Sequence, residues 1–273
     1  MQYKLIAADM DGTLLNGDSV MTERTRKTIL AAIEKGVLFV PSTGRPRMGL
    51  KRHLTAFDHL PSIDGDLPLI LFNGAMAVTA KSGRVLFSQG LDFSCAEVIF
   101  AQGIIRGYSV VAWAGERLFV NCDIEEITEY QRKSGAELHV VSNMEPLRPY
   151  GVTKMMWIIP PEDGPRCRAE MLVLLGGKVN CYTSCPHLME FTDAGASKGL
   201  ALEAVGAAYG IAREEMIAVG DGYNDVSMLE YVGLGVAMGN APEDIKAICR
   251  DVTLSNDEDG VAAVIEKYIL GGK

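Results

Sequence analysis

The chain has 273 residues, a length that suggests about two domains or one core with a large insertion. Hydrophobic residues make up 48% and charged residues 22%, so there is enough apolar material for a packed core. The formal net charge of −9 argues against nucleic acid as a main partner, because binding phosphate backbones needs an excess of lysine and arginine. No apolar stretch approaches the ~18 residues of a membrane helix and no signal-peptide pattern is present, so we expect a cytoplasmic protein without a membrane partner.

The amino-terminal segment alternates short apolar runs with an amphipathic helix. The pattern predicts a strand over 5–8, a helix over 22–35 with Thr22 as its N-cap, and strands over 37–40 and 69–72. Such strands, separated by helices, are typical of a parallel sheet that is covered on both faces.

The pattern changes after Asn73-Gly74. Segments 77–79 and 85–87 flank Lys81-Ser82-Gly83 and predict a hairpin. From there to about residue 186, helix-like and strand-like segments are mixed, which predicts an inserted α+β domain with its own small sheet.

The first pattern returns near the carboxyl terminus. Its predicted elements are a helix over 197–209, a strand over 216–219, a helix over 223–231, a strand over 234–238 and a closing helix over 258–269. We therefore predict an α/β fold: a Rossmann-like parallel-sheet core formed by 1–82 and 187–273, with an inserted α+β cap domain over 83–186.

Polar clusters directly follow three of the predicted core strands. These clusters are Asp9-Met10-Asp11-Gly12-Thr13, Ser42-Thr43-Gly44-Arg45 and Gly220-Asp221-Gly222-Tyr223-Asn224-Asp225. In an open parallel sheet, ligands bind beyond the carboxyl ends of the strands. Converging carboxylates repel one another unless a cation lies among them, and this oxygen-rich set suits Mg²⁺. One such cluster alone is as well explained by a capped turn, but three at strand ends favour a site.

The ordered clusters resemble the motifs of the haloacid dehalogenase (HAD) superfamily of phosphatases. The first cluster is similar to the first motif, Thr43 to the second, Lys198 in Ser197-Lys198-Gly199 to the third, and the 220–225 cluster to the fourth. Asn73-Gly74-Ala75, the segment over 235–241 and the large insertion are similar to the Cof-type branch, which has a class IIB cap. The resemblance spans nearly the whole chain.

This resemblance implies a role for each motif residue. Asp9 would be the nucleophile that forms an aspartyl-phosphate, and Asp11 would protonate the leaving group and then activate water. The implied metal ligands are Asp9, Asp11 through its main-chain carbonyl, Asp221 and, through water or as a brace, Asp225. The implied phosphate contacts are Thr43, Gly44, Lys198 and Asn224. Further candidate substrate contacts are Arg45, Asn73, Gly74 and Glu190.

The expected function is a Mg²⁺-dependent phosphatase for sugar phosphates or similar small phosphorylated metabolites. One alternative is a phosphomutase, in which the phosphoryl group passes from Asp9 to another hydroxyl instead of water. A second is a metabolite-binding regulator without catalysis, although such a binder needs no nucleophile beside a proton donor. The sequence leaves the physiological substrate and the oligomeric state open.

Overall fold

A computed structural model of the chain describes residues 3–54, 66–122 and 124–271. By their contacts the residues divide into two compact units. The first comprises Met1–Gly44, Leu50–Ser88 and Ser197–Lys273, and the second comprises Arg45–Gly49 and Gln89–Ala196.

The strands and helices are numbered along the chain. The strands are β1 (Leu5–Asp9), β2 (Leu38–Ser42), β3 (Pro68–Leu71), β4 (Met76–Thr79), β5 (Val85–Ser88), β6 (Ser109–Ala114), β7 (Arg117–Val120), β8 (Glu137–Val140), β9 (Lys154–Ile158), β10 (Val179–Cys185), β11 (Leu188–Asp193), β12 (Met216–Gly220), β13 (Leu234–Ala237) and β14 (Asp251–Val252). The α-helices are α1 (Glu23–Glu34), α2 (Arg47–Leu54), α3 (Phe93–Ile105), α4 (Glu125–Ser134), α5 (Gly164–Leu174), α6 (Lys198–Tyr209), α7 (Val226–Tyr231), α8 (Glu243–Ile248) and α9 (Gly260–Ile265).

The first unit is built on an eight-stranded sheet with the order β14-β13-β12-β1-β2-β3-β4-β5. The pairs from β14 to β3 are parallel, and the β4–β5 hairpin extends the sheet in antiparallel pairing. Strand β1 lies between β12 and β2, with Leu5 opposite Met216 and Asp9 opposite Ser42. The carboxyl ends of these three strands therefore meet at one edge of the sheet.

Both faces of this sheet are covered. Leu5 and Ala7 of β1 pack in one apolar cluster with Ala201 and Leu202 of α6. Because side chains alternate along a strand, Ile6 points to the opposite face, and it is also completely buried.

Thr22 caps α1 as predicted, since its side chain accepts a hydrogen bond from the Thr25 N–H.

The second unit is built on a six-stranded sheet with the order β10-β11-β9-β6-β7-β8. Its pairs are antiparallel except for β7 with β8. Its apolar cluster joins α3 and α5 to the sheet around Trp157, whose ring lies 4.7 Å from that of Phe191. The indole N–H of Trp157 also donates to the Ile99 carbonyl at 3.2 Å. The predicted fold class, a parallel-sheet α/β core with an inserted α+β domain, is confirmed.

The unit boundaries differ from the predicted cap over 83–186. Strand β5 pairs with β4 in the eight-stranded sheet, so the first unit extends through Ser88. Strand β11 pairs with both β9 and β10, so the second unit extends through Ala196. The sequence pattern missed β11 because a charged residue, Glu190, occupies the interior of the strand.

None of the helices among the described residues combines the length and apolar composition that a membrane crossing requires.

Close packing of α6 on α7 makes Gly199 sensitive to substitution. A Cβ atom at this position would lie 2.4 Å from the backbone carbonyl oxygen of Ser227. We expect Gly199→Ala to destabilise the fold by about 1–3 kcal/mol, because the backbone must shift to admit the methyl group. Thermal denaturation followed by circular dichroism measures the effect.

The matched control is Gly49→Ala in α2. A Cβ atom there would meet its nearest neighbours at 3.7 Å, an ordinary contact distance. We expect its stability to equal or slightly exceed that of the wild type, because alanine has the higher helix propensity. Equal stability of the Gly199→Ala protein and the wild type would contradict the close packing of the two helices.

Candidate active site

A cluster of acidic side chains lies at the carboxyl ends of β1 and β12. Asp9 ends β1 and is only 5% exposed. Asp221 directly follows β12, and Asp225 lies in a short turn after it. Carboxylate oxygens of all three residues lie within 4.8 Å of one another. The fold thus brings together two of the polar clusters that are far apart in the sequence.

Lys198 places a positive charge inside this acidic cluster. Its side chain is completely buried at the first residue of α6. The ammonium group donates to Asp9 Oδ1 and, at 2.6 Å, to Asp225 Oδ1. It also lies 3.5 Å from the Ser42 carbonyl oxygen at the end of β2. One lysine therefore connects α6 to the ends of two strands and to the turn after a third.

Asp225 connects Lys198 to the backbone of the loop after β12. Its Oδ2 atom accepts the N–H groups of Asp221 at 3.0 Å and Gly222 at 2.9 Å. Its Oδ1 atom accepts from Lys198. Both carboxylate oxygens are engaged, so Asp225 fixes the loop that presents Asp221.

Asp221 is also held by the loop after β1. Thr13 Oγ1 donates to Asp221 Oδ1 at 2.7 Å. Gly12 has a φ of +82°, and a Cβ atom there would lie 2.5 Å from Asp221 Oδ2. Glycine at this position therefore satisfies both a left-handed backbone and a close approach to the carboxylate. Thr13 lies inside the first motif, but the sequence pattern predicted no role for it.

The second motif is held against the Asn73-Gly74 turn. Thr43 is buried, and its carbonyl accepts the Asn73 N–H at 3.0 Å. The Asn73 side chain accepts from Asn224 Nδ2 at 3.1 Å, which ties this turn to the fourth motif. A Cβ atom on Gly44 would lie 2.9 Å from Asn73 Oδ1. Thr43, Gly44, Asn73 and Asn224 thus form one connected group.

Gly74 has a packing role that the sequence did not reveal. Its φ is +94°, and a Cβ atom would lie 2.1 Å from the Ser197 carbonyl carbon, directly before Lys198. A side chain at Gly74 would therefore displace the start of α6.

Three further predicted residues are Asp11, Arg45 and Glu190. Asp11 is exposed in the loop after β1. Arg45 and Glu190 belong by their contacts to the second unit. Glu190 is 5% exposed on β11, and its Oε2 atom lies 2.6 Å from the ammonium group of Lys154. The described contacts thus explain the charge of Glu190 by pairing within its own sheet.

Burial and charge repulsion shift the protonation of the acidic cluster. Burial raises the pKa of Asp9 to about 8, with the Asp225 and Asp221 charges adding to the rise and Lys198 opposing it. Burial also raises the pKa of Asp221, against the hydrogen bond from Thr13. Burial disfavours the charged form of Lys198, but the Asp225 and Asp9 carboxylates outweigh it and raise its pKa. The Lys198 ammonium group does not offset the combined effect of burial and of the neighbouring carboxylates on Asp9.

A divalent cation fits this donor set. The carboxylate oxygens of Asp9, Asp221 and Asp225 are hard ligands of the kind that Mg²⁺ prefers. A cation near them would favour their ionised forms and offset the cost of burying negative charge.

The raised pKa of Asp9 predicts how pH affects the metal-free protein. When an acid has a higher pKa in the folded state than in the unfolded state, its ionisation lowers the stability of the folded protein. For Asp9 this loss of stability occurs between about pH 4 and about pH 8. We expect Asp9→Asn to remove this loss. The difference in Tm between the variant and the wild type, measured with a chelator, should grow as pH rises through that range.

The control is Asp18→Asn, which changes an exposed carboxylate in the segment between β1 and α1. A constant difference in Tm between the Asp9→Asn variant and the wild type would contradict the effect of burial on Asp9.

Comparisons with known proteins identify the family. A sequence model of the haloacid dehalogenase-like hydrolase family matches residues 6–265 of this chain. Phosphatase YwpJ of Bacillus subtilis (strain 168) is 32% identical over 305 residues, covering 98% of this chain and 100% of YwpJ. The 5-amino-6-(5-phospho-D-ribitylamino)uracil phosphatase YitU of the same strain is 29% identical, covering 97% of each chain. The chain belongs to the haloacid dehalogenase-like hydrolase family.

Solved structures share the same fold. A haloacid dehalogenase-like hydrolase from Bacteroides thetaiotaomicron superposes with a TM-score of 0.85 at 28% identity, covering 97% of this chain and 99% of that structure. The subclass IIB sugar phosphatase BT4131 superposes with a TM-score of 0.77 at 24% identity, a likeness of fold. The predicted Cof-type membership and the predicted enzyme class, a phosphatase of the HAD superfamily, are confirmed.

Proposed function

We propose that this enzyme is a Mg²⁺-dependent phosphatase that hydrolyses small phosphorylated metabolites through a phosphoryl group carried on Asp9. The observation that carries the proposal is a buried carboxylate at a strand end, contacted by a buried lysine and flanked by two further carboxylates. The name of YitU specifies a phosphorylated ribityl substrate, which favours phosphate esters of sugars or sugar-like alcohols.

In the first step, an Asp9 carboxylate oxygen attacks phosphorus. The new O–P bond forms as the bond from phosphorus to the substrate oxygen breaks, and Asp11 gives its proton to the departing alkoxide. An alcohol leaves poorly as an anion, so this proton is needed. The exposed position of Asp11 in the loop directly after Asp9 is compatible with contact to a substrate.

In the second step, water replaces Asp9 on phosphorus. Asp11, now ionised, takes a proton from the water, whose oxygen bonds to phosphorus while the bond to Asp9 breaks. Inorganic phosphate leaves, and both carboxyl groups return to their starting states. The two steps together consume only the substrate and one water molecule.

The other residues of the cluster would hold charge and position. Lys198, Thr43, Gly44 and Asn224 would contact the phosphoryl oxygens. Asp9, Asp221 and the main-chain carbonyl of Asp11 would hold Mg²⁺, with Asp225 bracing the loop of Asp221. When bound, Mg²⁺ neutralises charge on the acidic cluster and on the phosphoryl group. Arg45, Asn73, Gly74 and Glu190 stay candidates for contact with the rest of the substrate, and a cytoplasmic location stays a prediction from the sequence.

Hydrolysis of p-nitrophenyl phosphate with Mg²⁺ tests the roles of the two acids. We expect activity in the wild type and a return to background in Asp9→Asn, because the amide is a poor nucleophile. Activity of Asp9→Asn equal to that of the wild type would contradict the proposal.

The leaving group separates the role of Asp11 from a general loss of structure. In the first turnover, Asp11→Asn should release the alcohol of an alkyl phosphate about 10²–10⁴-fold more slowly, because the departing oxygen must be protonated. The first release of p-nitrophenolate should slow much less, because p-nitrophenolate is a stable anion, whereas the later attack of water needs Asp11 with either substrate. Equal losses in this first release would contradict the role of Asp11 as proton donor.

Release of an isomerised sugar phosphate faster than inorganic phosphate would favour the mutase.

A further inference from the structure

Asn240 connects the loop after β1 to the segment after β13. Its side-chain N–H donates to the Gly12 carbonyl at 2.9 Å, and its Oδ1 atom accepts the Asn256 N–H at 3.0 Å. The Asn256 side chain in turn donates to the Leu15 carbonyl at 2.9 Å. Asn240 and Asn256, which are far from the loop after β1 in sequence, thus donate to two carbonyl groups of that loop.

The loop that they hold carries Asp11 and Thr13. Internal hydrogen bonds close its two ends, from the Leu14 N–H to the Asp9 carbonyl at 3.1 Å and from the Leu15 N–H to the Met10 carbonyl at 2.8 Å. Gly12 lies at the tip between these bonds, and Asn240 contacts that tip from outside.

The orientation of the Gly12 carbonyl affects both neighbouring residues. The peptide unit between Gly12 and Thr13 is planar, so fixing the carbonyl oxygen also fixes the direction in which Thr13 leaves the turn. Thr13 donates to Asp221, and Gly12 lies against the same carboxylate. Asp11 is joined to the other side of Gly12. The Asn240 contact therefore constrains a proton donor and a proposed metal ligand together.

We propose that Asn240 is a positioning residue for this reaction: through the Gly12 carbonyl it sets the orientation of Asp11 and of the Thr13–Asp221 pair. The inference rests on the proposed function. A small displacement of reacting groups costs up to about 10²-fold in rate, even when the substituted residue does not touch the substrate. A purely structural role would instead lower stability and leave the turnover of the folded enzyme unchanged.

Asn240→Asp isolates the contact. The aspartate keeps an oxygen to accept the Asn256 N–H but has no N–H to donate to Gly12. We expect kcat for an alkyl phosphate to fall about 10- to 100-fold with KM changed less than about threefold. The Tm measured with a chelator should fall by no more than about 4 °C, because the lost hydrogen bond is exposed and the chain is large.

Two further variants control for charge and chemistry. Asn240→Ala introduces no charge and should lose kcat to a similar extent. Asn143→Asp makes the same chemical change at an exposed asparagine of the second unit, whose Oδ1 atom accepts the Glu145 N–H. It should keep the wild-type kcat.

A second readout follows the loop without using activity. Hydrogen–deuterium exchange of a peptide that covers residues 10–16 should be faster in Asn240→Asp and in Asn240→Ala than in the wild type, with a chelator present. Asn143→Asp should leave this exchange unchanged.

The outcomes separate this inference from the proposed function. Wild-type kcat and unchanged exchange in Asn240→Asp, with Asp9→Asn inactive, would overturn the role of Asn240 alone. A Tm loss that accounts for the whole loss of activity would also overturn it. An inactive wild type, or an Asp9→Asn variant as active as the wild type, would overturn the proposed function and this inference with it.

Discussion

The contact of the Lys198 ammonium group with Asp9 and Asp225 determines the arrangement of the candidate site. A buried charge that loses its partner costs about 3–5 kcal/mol, so the buried ammonium group must lie against a carboxylate, and Asp225 contributes most to keeping it charged. Because Lys198 begins α6, this requirement also fixes the helix against the end of β1 and the turn after β12. The geometry of the candidate site and the packing of the core thus depend on the same buried lysine.

The cluster carries more negative than positive charge, and this imbalance links stability to function. Asp9 is hard to ionise in the metal-free protein, because burial and neighbouring carboxylates both disfavour its charged form. The proposed role of Asp9 as nucleophile requires its ionised form, so a cation that relieves the repulsion would also prepare Asp9 for that role. An acidic enzyme can in this way act on an anionic substrate, although its formal net charge is −9.

The sequence predicted the core of the fold because local pattern and tertiary role agree there. The short apolar strands β1, β2 and β12 are buried on both faces, and their carboxyl ends carry the polar clusters. The inserted domain was harder to predict because its strands are mixed in character. Strand β8 has exposed residues at both ends, and the interior of β11 contains Glu190, which pairs with a buried lysine on the adjacent strand.

The residues near the candidate site that the sequence pattern missed contact other residues of the site across long sequence separations. Thr13 and Asn240 lay in segments already compared with the family, but their partners are a distant carboxylate and a distant carbonyl. The predicted substrate contact of Gly74 stays a prediction, and the close approach of Gly74 to the start of α6 adds a packing reason for the glycine. Sequence pattern reveals which residues carry chemistry more readily than it reveals which residues hold them.

The proposed mechanism requires that Asp9 accepts the phosphoryl group. Acid quenching of the enzyme during turnover of a phosphorylated substrate, followed by mass spectrometry of its peptides, would detect that group. We predict a phosphoryl group on Asp9 that appears only with a divalent cation and is absent from the Asp9→Asn variant. Continued turnover with no phosphoryl group on Asp9, or with the group on a different residue, would contradict the account.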